Sequence, residues 1–194
     1  MRRMLVTVVA AGVVTALAVG AAGGEPVTGG TPAGHASAGH ASASVREAEV
    51  YIQVLRRYLS TPAENSFPGQ AFKTVYVLDR ASRDAAVPAG KHDRGTPITA
   101  QTRRQVTAAL AGMAHVVFVT SRDSVIETRD GCGHVKNGGI LITLGPPDGD
   151  GHRVQVAVNG FVACLGATRL TYVLHNQPGS GWRVTGTTGP IAIS

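Results

Sequence analysis

The sequence predicts an α+β domain, an antiparallel β-sheet meander of about five or six strands packed against two helices. Three observations predict it. Two segments before His115 repeat apolar residues at helical spacing. After His115, apolar or alternating runs are separated by short turns rich in Gly, Pro and Asp. The order helix, strand, helix and then consecutive strands leaves the helices to cover one side of a sheet. An NTF2-like or cystatin-like cone fits this order, as an analogy of fold that carries no function.

Residues 1–22 read as a signal peptide. Arg2 and Arg3 precede an uncharged run, Leu5 to Ala22, dominated by Ala, Val and Gly, with small residues at Gly20 and Ala22. The rival reading is an uncleaved anchor, since a helix of about 17–25 apolar residues spans a bilayer. Residues 23–43, "GGEPVTGGTPAGHASAGHASA", are low in complexity and read as a disordered linker. His35 and His40 repeat within it, either as a small metal-binding tract or as a duplicated spacer.

Residues 44–194 are expected to form a single domain, large enough for one hydrophobic core. Ser44 and Glu47 form an S-x-x-E capping box, and Val45, Ala48, Tyr51, Val54, Leu55, Tyr58 and Leu59 follow at helical spacing. Thr61-Pro62 ends that helix. "TVYVLD" (74–79) is a short strand, and the polar segment Ala81 to Pro97 is an exposed loop. Thr99 is the expected N-cap of a second helix, with Val106, Leu110 and Met113 on one face and Gly112 near its end. "HVVFVTS" and "GGILITLG" are strands, and "PPDGDG" folds the latter back on "HRVQVAVNGFVA". There Val154, Val156 and Val158 alternate with Gln155 and Ala157, as a strand with one buried face requires. "TRLTYVLHN", the turn "QPGSG" and "WRVTGTTGPIAIS" complete the sheet.

The chain carries a formal charge of +6. Loss of Arg2 and Arg3 with the leader brings this to +4, since no acid is lost with them. The cations are scattered and aromatics are few, so no nucleic-acid footprint is present. A mildly basic exported chain suits an anionic envelope surface, or simply solubility. No cysteine follows the apolar run, which excludes a lipid anchor there.

The two cysteines, Cys132 and Cys164, are expected to form a disulfide once exported. The "DGCGHVKNGG" segment around Cys132 reads as a glycine-rich loop. His134 leaves a second reading open, a hydrolase that uses Cys132 and His134 or a bound metal. Cys132, His134, His152 and Cys164 are candidate ligands by type, but no C-x-x-C or H-x-x-x-H spacing is present. No G-x-S-x-G elbow or phosphate-cradling loop occurs. Carboxylates are scarce; Asp79, Glu127 and Asp130 form the one trio worth naming. Asp79 next to Arg80 suggests a local salt bridge or turn cap. His134, Asp79 and Trp182 are the expected binding residues, with no catalytic residue, metal or cofactor assigned.

The strings "YVLDR", "GGILITLGPP", "VNGFVACLGA" and "GWRVTGTTGPIAIS" together resemble a group of exported actinobacterial single-domain proteins of unknown function. The resemblance covers most of the chain from Ala48 onward. It implies export and a single domain, and it carries no activity. The functional expectation is a secreted or envelope-associated monomer that binds a ligand, an envelope polymer or a partner protein. Contact with a membrane would be through the leader alone.

Overall fold

The computed structural model describes residues 35–67, 72–87 and 95–194. The expected leader, and the expected linker as far as residue 34, lie outside the described residues. Helix α1 runs His35–Ser60, one-turn α2 Pro62–Asn65 and α3 Ala100–Leu110. The strands are β1 Thr74–Leu78, β2 Arg80–Ala81, β3 Thr96–Pro97, β4 His115–Val119, β5 Ile126–Arg129, β6 Cys132–Val135, β7 Ile140–Leu144, β8 Asp148–Gly149, β9 Arg153–Ala163, β10 Gly166–Gln177 and β11 Gly181–Ile193.

The sheet corrects the expected antiparallel meander. Among the described residues it has nine strands, is mixed, and curls into a half-barrel. Its main path is β11-β10-β9-β7-β1-β4. β9, β10 and β11 are antiparallel neighbours, as expected. β1, however, lies between β4 and β7 and is parallel to both. The physical reason is in the connections. A strand, a helix and a second strand joined in that order return parallel, because the helix carries the chain back across the sheet face. β1, α3 and β4 form such a unit. The burial of Val75, Tyr76 and Val77 on successive positions is that of a strand covered on both sides.

Helices cover one face. Val50, Tyr51, Val54, Leu55 and Tyr58 of α1 and Val106 and Leu110 of α3 are buried against Val75, Val77, Ile140, Ile142, Val156, Val158, Leu170 and Tyr172. Each such side chain contributes about 1.5–3 kcal/mol by leaving water. Thr99 caps α3 as its position predicts, its Oγ1 accepting from the Thr102 amide at 3.1 Å.

The first helix departs from expectation at its start. α1 begins at His35, so Ser44 stands inside it rather than at its start, and residues 35–43 of the expected linker are helical. Alanine-rich sequence tolerates this, since Ala is the strongest helix former. Glu47, read as half of a capping box, instead accepts a 2.9 Å bond from the Thr102 hydroxyl and ties α1 to α3.

The opposite face carries a smaller cluster of Tyr76, Val125, Val135 and Leu141 under the β5–β6 hairpin. The expected glycine-rich loop around Cys132 is therefore strand β6. Its turn is Asp130-Gly131, with φ of 51° and 76°. Positive φ at both central residues defines the tight hairpin turn that an Asp-Gly pair favours.

Candidate functional site

The chain leaves β1 through α3 on one face of the sheet. It returns from β4 to β7 through the β5–β6 hairpin on the other. Connections that leave adjacent strands on opposite faces of a sheet open a crevice at their carboxyl ends, the place where open sheets take ligands. A cavity of about 240 Å³ lies there. Leu78 and Asp79 at the end of β1, Thr120 and Arg122 after β4, Leu141 and Thr143 of β7, and Asn159 and Phe161 of β9 line it. The turn 82–85 closes one side, fixed by the Ser82 amide donating to the Leu144 carbonyl at 2.8 Å.

Strand alternation places these side chains. Val154, Val156 and Val158 of β9 enter the helix-covered core, so Asn159 and Phe161 project to the cavity face. Ile140, Ile142 and Leu144 do the same for β7, sending Leu141 and Thr143 outward. The floor is apolar, formed by Leu78, Leu141 and Phe161, with polar groups at its edge. Arg122 lies 4.1 Å over the Phe161 ring, which holds its guanidinium at the rim. Asp79 pairs with Arg103 at 3.5 Å rather than with the adjacent Arg80, whose guanidinium donates to the Gly95 carbonyl at 2.8 Å.

One atom sets the site apart. Asn159 Oδ1 is buried and has no hydrogen-bond partner among the described residues. Asn159 is in register with Thr143 on β7 and with Arg169 on β10. The Arg169 Nε is also buried and unpartnered. A donor and an acceptor on directly opposed residues thus leave each other unbonded. An unsatisfied buried polar group costs about 1–3 kcal/mol, so a folded chain keeps one where something else completes it.

Of the three expected binding residues, only Asp79 reaches this cavity. His134 sits on β6, opposite Glu127 of β5 and Ala163 of β9, and is half-buried. Trp182 is buried in the helix-side core, with Arg46 5.3 Å over its ring. The carboxylate trio does not assemble at the cavity, since neither Glu127 nor Asp130 lines it and Glu127 pairs with Arg129. Asn159, Phe161, Thr143 and Arg122 escaped the sequence reading. The signal that could have found the first two is Phe161 on the same face as Asn159, an aromatic where a solvent-facing row would be polar.

Cys132 and Cys164 form the expected disulfide, with Cα atoms 5.5 Å apart. It staples the β5–β6 hairpin to the end of β9 and leaves no thiolate for nucleophilic chemistry at Cys132. Among the described residues no three His, Cys, Asp or Glu side chains converge as a metal site, and no helix is long and apolar enough to cross a membrane. The disulfide suits an oxidising, extracytoplasmic setting. No protein-family model and no curated protein matches the chain.

Proposed function

We propose that this is an exported domain that binds a small organic ligand, free or as the end group of an envelope polymer, and acts by binding rather than by catalysis. The observation that carries this reading is the buried, unpartnered Asn159 Oδ1 in a cavity with an apolar floor. Such a site takes a molecule with an apolar body that donates one hydrogen bond to the amide oxygen, a common design for small-molecule pockets. Neither His nor Cys is among the residues that line it, so the Cys132–His134 pair has no place there. The charged leader end, the apolar run behind it and the disulfide support secretion.

The test is a thermal-shift screen against amino acids, sugars, hydroxy acids and cell-wall fragments, run on the parent and on Asn159→Leu. Leucine removes the orphan acceptor at similar volume. The variant should melt higher without ligand and lose the ligand-induced shift. A ligand that stabilises both proteins equally, or no hit across the panels, would sink the proposal.

A further inference from the structure

At its β4 end the sheet stops, and no described strand other than β1 pairs with β4 there. The His115 amide donates to the Lys73 carbonyl and the Asp79 amide to the Val119 carbonyl. In a parallel ladder that parity sends the amides and carbonyls of His115, Val117 and Val119 toward β1. The N–H and C=O of Val116 and Phe118 therefore point outward, two donors and two acceptors in a row. Edge strands are ordinarily blunted by Lys, Pro or a bulge. β4, "HVVFV", has none of these, and its five residues run against β1 in unbroken register. The opposite edge, β11, contains Pro190 and pairs with two register shifts.

Beside this edge runs a groove of about 620 Å³ between β4 and α3. Small residues of α3, Thr107 and Ala108, keep it open next to Val116 and Phe118. Its lining holds two arginines and a histidine, Arg103, Arg104 and His115, and no carboxylate. Arg103 is engaged by Asp79, whereas Arg104 has no ion-pair partner among the described residues.

We infer that the β4 edge and the α3 groove bind an extended acidic peptide, which adds to the sheet as a further strand. Main-chain bonds to Val116 and Phe118 supply affinity, and carboxylates on the peptide meet Arg104 and His115. This surface is separate from the Asn159 cavity and stands whether or not that cavity holds a ligand.

The test uses the purified protein and two blocked hexapeptides, one alternating glutamate with valine and the other lysine with valine. Fluorescence anisotropy measures binding, and backbone amide NMR locates it. The glutamate peptide should bind and shift the Val116 and Phe118 amides, and the lysine peptide should bind at least tenfold more weakly. Arg104→Glu, on the exposed side of α3, should weaken the glutamate peptide about tenfold with the fold unchanged by circular dichroism. Phe118→Pro, which removes one outward donor, should weaken both peptides. Absence of binding, equal binding of the two peptides, amide shifts confined to other surfaces, or indifference to Arg104→Glu would overturn the inference. A self-dimer through β4 that excludes the peptide would also overturn it.

Discussion

Gly160 is a core position at which one added carbon should harm this protein. It lies on the helix-facing side of β9, directly beneath Tyr58 of α1. A Cβ built there would stand 2.0 Å from the Tyr58 hydroxyl oxygen, 2.7 Å from Cζ and 2.9 Å from Cε1. Ordinary carbon contacts lie near 3.5–4.0 Å, so the ring would have to retreat by roughly 1.5 Å. It has nowhere to go, since Tyr58 is 0% exposed and its helix packs on the sheet through four neighbouring side chains. Overpacking of a dense core costs about 1–3 kcal/mol. A contact this short belongs at the upper end, and at roughly 2–4 °C per kcal/mol Gly160→Ala should melt about 6–12 °C lower. Differential scanning calorimetry measures that directly. Tyr58→Phe in the same chain removes the oxygen at 2.0 Å and leaves the ring carbons, so the double variant should recover part of the loss. A midpoint for Gly160→Ala within 2 °C of the parent, or additive effects in the cycle, would refute the packing argument.

Cys132→Ser/Cys164→Ser should lose roughly 3.5–4 kcal/mol in chemical denaturation, the chain-entropy value for a loop of this size; intact-mass measurement should find the parent two hydrogens lighter than its reduced form. Glu64 accepts from Arg57 and from the Tyr172 hydroxyl, and these bonds, the Arg57 bond foremost, hold its pKa below the usual 4.5. A lowered carboxylate pKa gives stability that is present above 4.5 and is lost as pH falls through the folded value. Glu64→Gln should therefore flatten the acid limb of a stability-versus-pH curve below 4.5. Glu47 has the opposite sign, because burial raises its pKa against the bonds from Thr102 and Tyr51. Its contribution is full below 4.5 and declines as pH rises, so Glu47→Gln should remove that decline; a steeper fall toward neutral pH would contradict it.

Much of the fold was legible. The spacing of Tyr51, Val54, Leu55 and Tyr58 marked α1, Thr99 marked the start of α3, and alternation through Val154, Val156 and Val158 marked β9. The parallel centre was missed because a short apolar run carries no direction. "TVYVL" and "HVVFV" say buried strand in either orientation, and only the intervening helix implies a parallel return. The start of α1 was missed because Ser44 and Glu47 satisfy a local capping rule, which the alanine-rich residues before them overrode. The cavity was harder still. Gln155 and Asn159 alternate with valines in the way of solvent-facing residues. Whether that face is wet depends on the turn 82–85 and the β5–β6 hairpin, which are distant in sequence from β9.

Among the described residues both faces of the sheet hold a buried polar atom without a partner, the Tyr58 hydroxyl on the helix side among them. On the helix side, the buried polar groups of the loop after α2 are paired. The Asn65 amide donates to the Tyr58 carbonyl at 2.7 Å, and the Thr168 hydroxyl to the Asn65 carbonyl at 2.8 Å. On the cavity side, Asn159 Oδ1 and Arg169 Nε are buried and unpaired in one row of the sheet. Apolar residues at those two positions would have given a more stable domain. A chain under selection for stability alone discards such groups readily, because each replacement gains about 1–3 kcal/mol. What separates Asn159 from the other unpartnered atoms is its place, since it alone of the four residues lines the cavity with the apolar floor, and the proposed ligand site rests on that.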